Sequence, residues 1–286
     1  QSEIDQSINE IGQIQSSIIN ELKQPTIVKS KVANLLEQLK LEVEAQSEQV
    51  CPARADHILS FGELMSSTVF TQVLLETGVN AQWFDVKTIM KTNSLYGKAV
   101  VDCDTLQSLA KESLQPLLPN NVVVSQGFIG QDGLGNTTTL GRGGSDYSAA
   151  LIAEAVSATH LDIWTDVTGI FTTDPCITDA ARSIKEISFG EAAEMATFGA
   201  KVLHPATLIP AMRRNIPVFV GSSREPDLGG TQIKQAVESK PTFRSIALRR
   251  AQSLVTVKSP EMLHASGFLA KVFAILAKHE LSVDLI

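Results

Sequence analysis

The chain has 286 residues, a net charge of −7, and 43% hydrophobic against 19% charged residues. That length fits one large domain or two smaller ones, and the composition is ordinary for a globular protein. The acidic balance argues against nonspecific nucleic-acid binding, which needs a basic surface.

No apolar run approaches the length of a membrane span, so no membrane contact is expected. Cys51, Cys103 and Cys176 are odd in number and far apart, which suggests neither a disulfide framework nor a zinc site. The histidines His57, His160, His204, His264 and His279 have no metal-ligand spacing with a second His or Cys. The chain opens at Gln1 inside a polar helical pattern and stops at Ile286 inside a strand-like run. It therefore reads as a piece of a longer protein, and the lack of a leader carries no weight.

In chain order, Ile4, Ile8, Ile11, Ile18 and Leu22 fall near one helical face, and Pro25 ends that helix. A second helix carries Val32, Leu35, Leu36, Leu39 and Val43 on its apolar stripe. A third is expected from about Asp56 to Thr77, with Gly78 as its C-terminal cap. Ala81 to Val86 reads as a strand, and Leu106 to Leu117 as a helix ended by Pro119. Val122, Val123 and Val124 suit a strand covered on both faces. Ser145 to Ala158 is a strong helix former, with Ser145 or Asp146 the expected N-cap. Leu161 to Asp166 and Ile216 to Gly221 read as strands, and Phe189 to Phe198 and Ala206 to Arg214 as helices. Strands alternating with helices mean an α/β fold with a largely parallel sheet.

From Asp227 to Thr242 the pattern weakens, and this stretch reads as the exit of a first domain. The expected division is residues 1–240 and 241–286. The second part offers an alternating strand at Leu254 and Thr256, a helix after Gly267 and a final strand. That order begins a ferredoxin-like module, here incomplete.

The richest stretch is Val122 to Asp146, VVVSQGFIGQDGLGNTTTLGRGGSD. It joins a strand signal to glycines and then to a helix. Glycines let backbone N–H groups approach a ligand, and a helix N-terminus favours an anion. Arg142 adds a fork of donors for a carboxylate or phosphate. No Gly-Lys-Ser/Thr follows, so the Walker pattern does not fit, and the dinucleotide fingerprint fits poorly. On the residues alone, anion binding and a plain tight turn stay about equally open.

Six motifs, taken in order, are more specific: FGELMS (Phe61–Ser66), AQWFDV (Ala81–Val86), QGFIG (Gln126–Gly130), TTTLGRGGSDYSAA (Thr137–Ala150), DIWTDVTGIFTTDP (Asp162–Pro175) and EMATFGAKVLHP (Glu194–Pro205). Together they resemble the amino-acid kinase family, and within it the aspartate kinases of the monofunctional, lysine-sensitive type. The resemblance covers nearly the whole chain. It implies the amino-acid kinase fold followed by the start of an ACT-type regulatory domain. It also implies transfer of phosphate from ATP to L-aspartate, giving 4-phospho-L-aspartate, the first committed step toward lysine, threonine and methionine.

Aspartate carries one ammonium and two carboxylates, so its site needs an anion and a cation. The resemblance implies that Glu63 faces the ammonium and that Arg142 grips the α-carboxylate. Ser145, with the N–H groups near Gly143 and Gly144, suits the other carboxylate, and Thr139 offers a hydroxyl. Thr165 and Asp166 end a strand, where ligands of open parallel sheets gather. The resemblance places them with Phe171 at the base and ribose, and adds Cys176 and Val202 to the nucleotide site. It points Lys201 at the ATP phosphates and gives Asp146 the task of organising the cationic groups near the transferred phosphate. Mg²⁺ is expected with ATP, bridging phosphates, with no dedicated protein cage and no other metal.

The chain departs from the family pattern in three places. An opening Lys-Phe-Gly-Gly-x-Ser motif, which supplies a lysine to the phosphates, is absent from these 286 residues. Phe171 stands where Tyr is usual, and Cys176 where Arg is usual. The stretch by itself is therefore expected to have little kinase activity. Met262, His264, Phe268, Leu269, Ser282, Val283 and Asp284 match the effector-binding part of a lysine-sensitive regulatory domain. The resemblance further implies lysine as effector, a homodimer formed through the regulatory domains, and a cytoplasmic location. Two competing readings are a non-catalytic amino-acid sensor and a kinase acting on glutamate, acetylglutamate, carbamate or UMP.

Overall fold

The computed structural model describes residues 2–45, 51–199, 203, 205–239, 241–248, 250–251, 253–258, 266–279, 281 and 283. Two compact units divide the chain, Gln1–Leu248 and Arg249–Ile286.

The first unit opens with three helices: α1 (Ser2–Asn20), α2 (Thr26–Glu44) and α3 (Pro52–Glu76). Their apolar stripes meet in one core built from Ile19, Val28, Val32, Leu39, Phe61, Met65 and Val69. Burial of such side chains contributes roughly 1.5–3 kcal/mol each. Against the expectation from sequence, α3 is long and apolar enough to cross a membrane, with a mean hydropathy of 1.4 over its most apolar stretch. Here α3 is a core helix, packed between α2 on one side and strands on the other. Its buried face also carries the polar residues Asp56, Ser60, Ser67 and Thr71.

β1 (Ala81–Phe84) pairs in parallel with β2 (Val122–Ser125), and α3 lies against both. Between them the chain makes a 3-10 turn at Val86–Thr88, capped by the Asp85 side chain, and then α4 (Cys103–Leu109), capped by Asp102. The helix expected over 106–117 is thus shorter and starts earlier. It tightens and widens through a π turn at Ala110–Leu114 and a 3-10 turn at Gln115–Leu117, where Pro116 offers no amide to continue the α ladder.

The glycine-rich stretch is not a plain loop. It contains an antiparallel hairpin, β3 (Ile129–Gln131) with β4 (Thr137–Thr139). The sequence reading missed it because each strand has only three residues. Asp132 sits in the turn and accepts from the amides of Leu134 and Asn136 and from the hydroxyls of Ser94 and Tyr96.

α5 (Gly144–Val156) follows, and after a short connection β5 (Leu161–Thr165). Ala150 and Ala153 of α5 join the core under β5, while its Leu151 and Ala155 join the core around Val86, Ile89 and Leu106. Small side chains let this one helix pack closely into both cores. The second sheet has the order β5-β7-β8-β6, with β6 (Glu186–Ser188), β7 (Val218–Ser222) and β8 (Gly230–Lys234). β5 with β7 and β6 with β8 are parallel, and β7 with β8 is antiparallel. α6 (Phe189–Thr197) begins with a capping box of Ser188 and Glu191, and α7 (Pro205–Arg213) packs on α5. The stretch read as a domain exit therefore holds β8, whose Thr231 and Ile233 are fully buried. Their alternation was present in the sequence but masked by the polar residues between them.

In the second unit α8 (Phe268–Lys278) forms, led by Gly267. The described residues 253–258 pair with no strand, and Leu254 is 95% exposed. The alternation at Leu254 and Thr256 is thus unpaired, and a strand exists only where a neighbour accepts its ladder.

Candidate functional site

Asp56 and Glu63 stand seven residues apart on α3, two turns along one face. Glu63 is half-buried, and the Gly127 amide lies near enough to favour its charged form. Burial pushes its carboxyl above the usual value, and the Gly127 N–H partly offsets that push.

Gly127 is the junction of the site. A Cβ there would lie 3.1 Å from Ser145 Cα and 3.2 Å from Ser148 Oγ, tighter than ordinary contact, so a glycine lets the β2 exit approach the start of α5 without displacing it. The next amide, that of Phe128, donates to Ser148 Oγ, and Ser148 in turn donates to the Ser145 carbonyl. Gln126 anchors the same turn from below: its Oε1 accepts from the Val86 amide and its Nε2 donates to Ser67 Oγ on α3. Trp83 Nε1 donates to that same hydroxyl. Through Gly127 the Glu63 carboxylate and the Arg142–Ser145 segment therefore share one place.

The expected N-cap is corrected. Gly143, at φ 71°, takes that position, and no side chain caps the helix. The Gly144 amide donates to the Gly141 carbonyl and the Tyr147 amide to Gly143, so Gly144 does not offer the N–H expected of it. Among the described residues, the amides of Ser145 and Asp146 have no backbone acceptor. They remain at a positive helix end with exposed Arg142 and Ser145 beside them. Asp146 is half-buried, and burial raises its pKa.

Thr139 is corrected as well. It is 1% exposed, its hydroxyl donates to Asp56 Oδ1 and its amide to Asp56 Oδ2. No hydroxyl donor is left there for a ligand. Asp56 escaped the sequence reading because its signal is a single acid near the start of an apolar helix, usually a solvated position.

The second cluster lies at the carboxyl end of β5. α5 and β5 are in contact and joined by a short connection, so β5 ends on the side where α5 begins. There Thr165 Oγ1 donates to Asp166 Oδ1, and the Thr165 carbonyl accepts from the amide of Ser223 just beyond β7. Phe171 is half-buried and bridges to Ser183. Cys176 is an exposed free thiol whose amide donates to Asp174 Oδ1. Lys201 and Val202 lie outside the described residues, as do Met262, His264, Ser282 and Asp284. Phe268 and Leu269 occupy the first turn of α8, and Val283 is exposed beyond it. Among the described residues no group of three or more His, Cys, Asp or Glu side chains forms a metal site.

This arrangement offers an anion for an ammonium, an arginine and a helix start for a carboxylate, and a strand end on the same side. The model of the family described as "Amino acid kinase family" matches residues 4–222. Lysine-sensitive aspartokinase 3 of Escherichia coli is 53% identical over 281 residues, which is 98% of this chain and 63% of that protein. The crystal structure of E. coli aspartokinase III in complex with aspartate and ADP (R-state) matches with a TM-score of 0.92 and 52% identity, over all of this chain and 64% of the other. The same enzyme in complex with lysine and aspartate (T-state) matches with a TM-score of 0.83, again over 64% of its length. The chain thus spans a little under two thirds of these relatives.

Proposed function

The chain belongs to the amino acid kinase family, and on that premise we propose that the protein it comes from is an aspartate kinase. It transfers the γ-phosphoryl group of ATP to the β-carboxylate of L-aspartate. One observation carries this reading: Gly127, whose amide lies near enough to favour the charged form of Glu63, itself packs against Ser145 at the start of α5. An acid and an Arg-bearing helix start are thereby set side by side, as an amino acid requires. Similarity to proteins crystallised with aspartate, ADP and lysine supports the choice of substrate, nucleotide and effector.

In this mechanism Glu63 holds the substrate ammonium. Arg142 grips the α-carboxylate, and the Ser145 and Asp146 amides with the Ser145 hydroxyl hold the remaining oxygens. Thr165, Asp166 and Phe171 receive the nucleotide at the end of β5, with Cys176 and Val202 at its edge. Lys201 meets the phosphates, and Asp146 orients the cationic groups around them. A β-carboxylate oxygen bonds to the γ-phosphorus as the bond from that phosphorus to the bridging oxygen breaks, and the electron pair leaves with ADP. Such transfer depends on positioning and charge stabilisation more than on covalent help. Mg²⁺ on the ATP phosphates would neutralise charge there, with the nucleotide rather than a protein cage supplying most of its ligands.

Met262, His264, Phe268, Leu269, Ser282, Val283 and Asp284 belong to a regulatory ACT-type part that begins near residue 241. It binds lysine and pairs two subunits in the cytoplasm. Coupled ADP release by the full-length protein tests the reading, with aspartate, glutamate, acetylglutamate, carbamate and UMP each offered with Mg-ATP, and lysine then added. Turnover with aspartate alone, suppressed by millimolar-scale lysine, is expected. Turnover with another acceptor, or with none, overturns the assignment.

A further inference from the structure

Asp56 lies on α3 with 2% of its surface exposed, and among the described residues no lysine or arginine forms an ion pair with it. Its carboxylate takes three donors from two other segments. Oδ2 accepts from the Gly97 amide at 2.9 Å and the Thr139 amide at 2.7 Å, and Oδ1 accepts from the Thr139 hydroxyl at 2.9 Å. The partners lie 41 and 83 residues away in sequence. A buried carboxylate without hydrogen bonds would be costly, so these three bonds hold α3, the 93–101 segment and β4 together as one unit.

That unit touches both halves of the substrate site. Two turns further along the same face of α3 stands Glu63. Two residues beyond Thr139, Gly141 packs on the Gly97 carbonyl, 2.8 Å from where its Cβ would be. Arg142 follows directly. The Ala99 amide also donates to the Thr139 carbonyl, so the 93–101 segment bonds directly to β4 as well.

We propose that Asp56 is a positioning residue for the phosphoryl acceptor: it sets the distance between Glu63 and the Arg142 segment, and so the affinity for aspartate. The inference rests on the aspartate kinase reading above. Asp56 touches no reacting atom. Its effect passes through Thr139 and Gly97 to the segment that holds the substrate carboxylate. A shift of that segment by a fraction of an ångström weakens acceptor binding while leaving the strand-end nucleotide cluster in place.

Steady-state kinetics of the full-length protein test this with Asp56→Asn, Thr139→Val and the double variant, beside Thr139→Ser. The Asn side chain keeps the shape of Asp56 but brings an amide against the N–H donors. Each single change to Asn or Val is expected to raise KM for aspartate about tenfold, with KM for ATP changed less than about twofold. Thr139→Ser, which keeps the hydroxyl, is expected to retain the original KM. The double variant should fall well short of the product of the single effects, because both changes break one clamp. If Asp56→Asn does not fold, Thr139→Val and Thr139→Ser still decide. An unchanged KM for aspartate in folded variants, or losses confined to thermal stability and active fraction, overturns the positioning role. Multiplicative effects would make Thr139 independent of Asp56 and overturn it too. The unmodified protein is the control: without aspartate-dependent ADP release the kinase reading fails first, and the positioning role fails with it.

Discussion

The surroundings of Glu63 and Arg142 and the end of β5 are built differently. Around Glu63 and Arg142 the supporting hydrogen bonds cross the sequence: Asp56 to Thr139 spans 83 residues, Gln126 to Ser67 spans 59, and Gln126 to Val86 spans 40. At the end of β5 two of the side-chain bonds are local, Thr165 to Asp166 one residue apart and Cys176 to Asp174 two, while Ser223, 58 residues on, holds the Thr165 carbonyl. Asp166 and Cys176 are exposed, while Asp56, Gln126 and Thr139 are buried. The contrast fits the ligands proposed above. A small zwitterion is recognised by a few charges at fixed separations, which a buried network enforces. A nucleotide offers a large surface, and its affinity is spread over many contacts.

Breaking the acceptor side is expected to give the largest effect. Glu63→Gln should lower kcat/KM for aspartate about 100-fold, with KM for ATP within about threefold. The pH dependence of the unmodified protein carries the same information. Burial raises the Glu63 pKa above its usual 4.5, so the carboxylate loses its charge earlier on acidification than an exposed one would. KM for aspartate should therefore climb as pH falls through that raised value, and Glu63→Gln should remove that limb from the profile. A profile unaltered by the substitution would count against Glu63 as the ammonium partner.

The buried scaffold beneath it comes next. Gln126→Leu leaves the buried Val86 amide without its acceptor and removes one of the two donors to Ser67 Oγ, that of Trp83 remaining, and should cost about 2 kcal/mol in urea unfolding. A loss below about 0.5 kcal/mol would show that water replaces the amide.

The hairpin turn gives an effect of similar size that depends on pH. Burial pushes the Asp132 carboxyl up, but hydrogen bonds from Tyr96, the Asn136 amide and Ser94 outweigh it and hold the group at about 2, against 3.8 when unperturbed. A lowered folded pKa stabilises the folded state above the unfolded value, and that stabilisation is lost as pH falls through the folded one. Acid unfolding followed by circular dichroism should show this loss between about pH 4 and pH 2, and Asp132→Asn should flatten it.

The smallest effect belongs to the nucleotide side. Cys176→Ala should change KM for ATP less than about twofold, because the residue's recorded bond is made by its backbone amide, which alanine keeps. A tenfold change would mean that the thiol itself meets the nucleotide and would erase the contrast between the two sides.

Much of this was legible in the residues. The periodicity of α1 to α3, the β-branched run of β2 and the alanine-rich α5 follow local rules that any 10–20-residue window carries. The motif set pointed to the family now matched over residues 4–222. Less legible were the short elements. β3, β4 and β6 have three residues each, too few for a period to show. The N-cap of α5 was misplaced because Ser145 and Asp146 are good caps by type, whereas the chain turns in at Gly143 through a positive φ.

By itself, then, the order of residues determined where helices form, which faces are apolar and which side chains have the right chemistry, since each depends on near neighbours along the chain. Folding in three dimensions decided which polar groups are available. It turned the Thr139 hydroxyl and the Gly144 amide inward, brought Gly127 against Ser145, and gave Asp56 its three donors. Those outcomes depend on groups tens of residues apart competing for the same hydrogen bonds in a space closed to water, and no local window contains both competitors.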